Sequence, residues 1–252
     1  MRCLSRFGNR KAFTLAEVLI TLGIIGVVAA MTIPTLIANT RAQQYRARLK
    51  KTISTISQSA KMSQAQYGFD FAGLEGACTS NGALDNPENI QTICALLNGT
   101  LTGATYVNRL SDLKINNSKN YSFTSSYLRS LGSPNSSSYR GYILSDGTIF
   151  AFYTGLGRTN ACAMPLGETL KSVYLSELDF NLSDCYGFID VNGVQLPNTE
   201  VSCSSGTNSL DSSSCVVKND IKHLTDIFPV RLHDGIVEPT TAAGRFVLRT
   251  AN

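Results

Sequence analysis

The sequence predicts an α+β fold, with a long N-terminal helix packed on a C-terminal antiparallel β-sheet. Three observations carry this. The stretch from Phe13 to Ile33 is apolar almost throughout and long enough for a membrane-crossing helix. From Tyr45 to Tyr67 apolar residues return every three or four positions, the period of a helix with one buried face. From Tyr139 onward, short apolar runs are separated by Asp-Gly or Asn-Gly pairs, the strongest short-range signal for β-hairpins. A single long helix followed by a tail of strands is an α+β signature.

Five segments follow from the pattern: 1–12, 13–37, 38–68, 69–138 and 139–252. The first carries Arg2, Arg6, Arg10 and Lys11 without an acid, which accounts for the whole formal charge of +4. The remaining 18 bases are balanced by 18 acids. Global charge therefore does not argue for a nucleic-acid partner. A basic leader before an apolar helix predicts a single-pass anchor with its basic end in the cytoplasm. Glu17 is the anomaly, because a carboxylate inside an apolar span is costly and reads as functional. Its bland alternative is an acid favoured by the dipole at a helix N-terminus.

The residues Lys11-Ala12-Phe13-Thr14-Leu15-Ala16-Glu17-Val18-Leu19 resemble the class III signal of type IV pilins and type II secretion pseudopilins. That resemblance implies a pilin-like fold and a structural, non-enzymatic role. It implies that a prepilin peptidase cuts between Ala12 and Phe13 and that Phe13 is then N-methylated. Ala12 stands where Gly is commoner in the family. It implies further that Glu17 pairs with the terminal amine of a neighbouring subunit, and so sets the register of assembly. The partners it implies are other pilin or pseudopilin subunits, the peptidase, an inner-membrane assembly platform and membrane lipid. The site implied is the bacterial inner membrane, with the head periplasmic or extracellular. The competing class is a membrane-tethered adhesin or binding protein that never polymerises.

Pro34 lacks the N–H of a helix interior and is expected to kink the helix there, where the family often has a proline. The stem face expected to be buried is Tyr45, Leu49, Ile53, Ile56, Ala60, Gln64 and Tyr67, with Arg46, Lys50, Lys51 and Lys61 mostly off it and Gly68 as the stop. The basic residues of the stem are explained by a solvated helix face, and nucleic acid is not indicated.

In segment 69–138, Pro87 is expected to open a short helix from Glu88 to Leu97, ended by Asn98-Gly99. Beyond it, hairpins are expected at Asp146-Gly147, at Asn192-Gly193 and at Asp234-Gly235, with a last strand over Arg245 to Leu248. Six of the seven cysteines lie past the apolar run, an even number consistent with disulfides in an oxidising compartment. Local separation favours Cys78–Cys94, Cys162–Cys185 and Cys203–Cys215. No Cys-x-x-Cys, Walker or Gly-x-Gly-x-x-Gly motif occurs, and His223 and His233 lack an evident acid–base constellation. Asp190, Asn192, Asn198 and Asp226 offer the hard oxygens that calcium prefers, and some pseudopilin heads bind calcium in their C-terminal loops. The simpler expectation is that these side chains satisfy the backbone of their own turns.

Overall fold

Helix α1 runs from Leu15 to Tyr67 and includes Pro34. The computed structural model describes residues 14–116, 118–126, 128, 136–153, 185–209, 214–218 and 223–249. The chain divides into two compact units, Met1–Arg41 and Ala42–Asn252. In the described part of the first unit no side chain is buried, and Leu15, Leu19, Ile20, Leu22, Ile24, Ile25, Val27, Val28, Met31, Ile33 and Leu36 are among the exposed large apolar residues.

The second unit begins with the rest of α1. Its buried residues are Ala42, Arg46, Leu49, Thr52, Ile56, Ser59, Ala60 and Ser63, one stripe at helical spacing. Tyr45, Ile53 and Tyr67 are partly buried against the same core. Two expectations fail here. Arg46 is buried, and Gln64 is exposed, its amide donating instead to the Gly68 carbonyl at 3.3 Å. The small hydroxyl residues Thr52, Ser59 and Ser63 share the stripe with the apolar ones. Gly68 ends α1 in the left-handed region (φ 84°), its N–H reaching the carbonyls of Ser63 and Gln64.

A six-stranded antiparallel sheet carries the head, ordered β1 (Thr105–Val107), β4 (Tyr139–Ile143), β5 (Ile149–Tyr153), β6 (Cys185–Asp190), β7 (Ile227–His233), β8 (Ile236–Pro239). A separate pair is formed by β2 (Lys114–Ile115) and β3 (Lys119–Asn120). One face of the sheet presents Phe150, Phe152, Ile189, Phe228, Val230 and Leu232 to Leu49, Ile56 and Ala60 of α1. The other presents Ile149, Ala151, Tyr186, Phe188 and Ile227 to Val107, Leu110, Ile115, Tyr121 and Leu128. With both faces covered, β5 and β6 are buried nearly end to end, so they read as continuous apolar runs rather than alternating ones.

Polar ties dock the stem along this sheet. The Arg48 guanidinium donates to the Val191 carbonyl at 2.9 Å, Lys51 pairs with Asp146 at 2.9 Å, and the Val237 N–H donates to the Ser57 hydroxyl at 3.1 Å. That last bond caps a backbone donor of the outermost strand, β8.

The Asp146-Gly147 turn joins β4 to β5, and Asp234-Gly235 joins β7 to β8, as their sequences predict. The Asn192-Gly193 turn does not make a hairpin, since β6 pairs with β5 and β7 and the chain leaves into a loop with a cis Leu196–Pro197 bond. Helix α2 covers Ile93–Thr100 rather than Glu88–Leu97. Asn86 takes the Glu88 N–H in a side-chain turn, and Thr92 is the true N-cap, accepting the Ala95 N–H at 3.0 Å. Gly99 falls inside α2, at a position where an added Cβ would lie 2.6 Å from Pro87. The predicted last strand is instead α3 (Ala242–Arg249). The Thr241 hydroxyl accepts the Gly244 N–H at 3.1 Å, and Ala242, Ala243 and Val247 form the buried side.

Candidate functional site

Two groups of residues bear on function: the start of α1 and the polar and disulfide-bonded loops of the head. Ala12 and Phe13 lie outside the described residues. Thr14 is the first described residue, and with Glu17 it forms a reciprocal cap. The Thr14 N–H and hydroxyl donate to Glu17 Oε2 at 2.9 and 3.0 Å, and the Glu17 N–H donates to Thr14 Oγ1 at 3.2 Å. This is a capping box, Thr-x-x-Glu, in which each residue satisfies an N–H that the helix itself leaves open. The carboxylate also sits at the positive end of the helix dipole. Glu17 is thus held at the first turn, in the position of the bland alternative and beside the residue expected to become the terminus.

Among the described residues one helix, α1, is long and apolar enough to cross a membrane, and its most apolar window is entirely unburied. Four hydroxyls of its N-terminal part are satisfied within the helix. Thr21 bonds to the Glu17 carbonyl, Thr32 to Val28, Thr35 to Thr32 and Thr40 to Leu36, at 2.8–3.0 Å. Such back-bonding lets polar side chains sit in hydrocarbon without an unpaired group. Pro34 lies between Thr32 and Thr35 of this set.

In the head, Cys78 is bonded to Cys94 and Cys203 to Cys215 (Cα–Cα 5.5 and 5.0 Å). Cys185 is also disulfide-bonded, while Cys162 lies outside the described residues. Asp85 stands against the first bond, its carboxylate accepting from the hydroxyls of Thr79 and Thr92. Cys78, Asp85 and Cys94 are close enough to share a metal ion, but sulfurs joined to one another supply no thiolates for it. His233 lies between Asp234 (3.1 Å) and Glu238 (3.3 Å), and Glu238 is also bound by Arg231. The arrangement is a polar cluster on the last hairpin, with an ion pair between Arg231 and Glu238.

Asp190, Asn192, Asn198 and Asp226 do come together. Asp190 Oδ1 accepts the N–H groups of Asn192 (2.9 Å) and Gly193 (2.8 Å), and its Oδ2 accepts the Tyr121 hydroxyl (2.5 Å). Asp226 Oδ2 accepts the N–H of Asn198 (3.0 Å) and the amide of Asn192 (3.5 Å), and its Oδ1 accepts the N–H of Thr199 (2.8 Å). The Asn198 amide donates to the Ser122 carbonyl at 3.1 Å. Both aspartates are fully buried. Burial, reinforced by the charge of Asp226, holds the Asp190 carboxyl well above the usual range, and burial raises Asp226. Burial together with Asp190 pushes the Tyr121 phenol up as well. Tyr121 is the member that sequence reasoning missed. It lies 69 residues from Asp190 and carries no local signal.

Residues 8–33 match the family pattern described as the prokaryotic N-terminal methylation motif. This is the signal of type IV pilins and pseudopilins. No curated protein and no solved structure matches the chain. The motif, the apolar N-terminal helix and the α+β head together fit a membrane-anchored precursor of pilin or pseudopilin type.

Proposed function

We propose that the chain is a structural subunit of a type IV pilus-like or type II secretion pseudopilus filament, of the minor or atypical kind, acting in secretion, adhesion or DNA uptake. The observation that carries this reading is the methylation motif over residues 8–33 on a helix that leaves its apolar surface open. In this account the chain enters the bacterial inner membrane with residues 1–12 in the cytoplasm and the head on the other side. Prepilin peptidase cuts between Ala12 and Phe13, Phe13 is N-methylated, and an assembly platform in the membrane adds the subunit to the filament.

The capping box gives Glu17 a role in both states. Before assembly, Thr14 satisfies the carboxylate within the subunit. In the filament the neighbour's Phe13 ammonium replaces or joins Thr14, and a wrong register leaves the charge unpaired in hydrocarbon. Cys162 completes the third disulfide with Cys185.

The capping box also favours a second reading, since an acid satisfied by its own helix is tolerable in a plain membrane anchor. The intact mass of the membrane form decides first. The expected mature chain begins at N-methylated Phe13. Full-length protein recovered from cells with active prepilin peptidase overturns the filament reading and leaves the tethered adhesin. A processed chain that never pellets as filaments when all assembly components are present argues for the same alternative.

A further inference from the structure

The loop that leaves β6 has no ladder of its own, because the expected hairpin at Asn192-Gly193 does not form. What fixes it is the Asp190–Asp226 cluster. Six donors converge on four carboxylate oxygens: the N–H groups of Asn192, Gly193, Asn198 and Thr199, the Asn192 amide and the Tyr121 hydroxyl. Beyond the cluster, Thr199 bridges to Thr124 and Glu200 to Ile227, which seats the returning chain beside the sheet.

This donor set does not fit calcium. That ion takes roughly six to eight oxygens whose lone pairs point at it. N–H and O–H groups occupy those directions at both aspartates, and Asn192 turns its amide nitrogen, not its oxygen, toward Asp226, so that among the buried oxygens of the four side chains Asn198 Oδ1 alone has no hydrogen-bond partner. The same nitrogen also faces the Leu196 carbonyl at 3.0 Å, so that oxygen is engaged too.

We infer that Asp190, Asp226 and Tyr121 form a cation-independent latch that takes the place of a hairpin, fastening the Val191–Thr199 loop and the Tyr121–Thr124 stretch to the ends of β6 and β7. The two aspartates hold the loop through its backbone N–H groups, and Tyr121 couples it to the layer covering the sheet. The latch is a positioning device for one end of the head, with no exchangeable ligand.

The test uses the full chain in detergent. Thermal unfolding in millimolar calcium and in EGTA is expected to give one and the same Tm. Tyr121→Phe removes one donor and leaves every candidate calcium oxygen in place. It is expected to speed hydrogen exchange in the 190–199 segment by roughly tenfold, in calcium and in EGTA alike. Asp226→Asn is expected to loosen the same segment further in both media. A saturable rise of Tm with calcium, abolished in Asp190→Asn, overturns the inference. So does Tyr121→Phe with unchanged exchange in that segment, an outcome that stands even if the aspartate variants fail to fold.

Discussion

The two parts of α1 belong to one continuous helix and meet opposite fates. From Leu15 to Arg41 the helix is apolar around most of its circumference and buries nothing. From Ala42 to Tyr67 it is far more polar, yet it buries a stripe of eight residues, half of them hydroxyl or charged. Burial here follows the supply of partners rather than hydrophobicity. The stem packs on a six-stranded sheet, whereas the first part buries nothing against the described residues. A helix that is apolar all round is a membrane or assembly element, and one with a stripe belongs to a folded head.

The sharpest way to break this contrast is at Glu17. Glu17→Ala is expected to abolish filament formation while leaving membrane insertion and the Tm of the head unchanged. Electron microscopy of sheared material, fractionation and calorimetry read the three quantities. Filaments of normal yield from the variant would mean that the acid is only a helix cap. Loss of head stability would mean that the division at Arg41 and Ala42 is not a functional one.

Core truncation comes next in size. Ile56 is fully buried between the stem and the sheet, and Ile56→Ala is expected to cost about 2–5 kcal/mol of head stability. The matched change Leu22→Ala, at a residue 60 % exposed, is expected to leave head unfolding where it was. Chemical denaturation of both variants in the same detergent makes the comparison. Equal losses at both positions would show that the two parts unfold as one.

What was legible in the sequence follows the range of the interactions involved. The Gly68 stop and the turns at Asp146-Gly147 and Asp234-Gly235 are local and stand where their residues put them. Leu49, Ile56 and Ala60 of the stem are buried as their spacing predicts, whereas Arg46, Thr52, Ser59 and Ser63 share that stripe and Gln64 does not. The motif at the N-terminus is local too, and it was read from nine residues. Glu17 at a helix N-terminus is likewise a local feature of the sequence, and what the structure adds is its reciprocal partner, Thr14. Arg245-Phe-Val-Leu looked like a strand because Phe and Val favour strands. Thr241 and the two alanines behind it decide for a helix, at a point where Pro239 has already ended β8. The failed hairpin at Asn192-Gly193 has a longer-range cause. Its turn chemistry is present, but Asp226 and Tyr121, from remote segments, take part in holding the loop. Nor did any periodicity announce that the 107–128 stretch would cover the second face of the sheet, since its buried residues follow neither a helical nor a strand period.

A finer form of the same contrast lies within the head, between an acid near the surface and a pair in the interior, and pH separates them with the smallest shifts. Asp146 pairs with Lys51 on the stem, and hydrogen bonds from Lys51 and Thr148 hold its carboxyl below the usual range despite partial burial. A lowered carboxyl contributes stability that is present above its ordinary value, near 3.8, and is lost as pH falls through the lowered one. It is therefore silent between pH about 5 and 8. Asp190 and Asp226 are raised, so their contribution has the opposite sign: it is complete below the ordinary value and is lost as pH rises through the raised ones. Head Tm is accordingly expected to climb as pH is lowered from neutral through the raised values of the two carboxyls toward the ordinary one. The climb should persist in Lys51→Met, which removes only the surface partner, and should shrink in Asp226→Asn, which removes the neighbouring charge that helps to raise Asp190. Calorimetry at a series of pH values reads both slopes. A Tm that falls steadily from neutral pH toward 5 in the unsubstituted chain would show that the interior pair stays ionised, held by its six donors alone.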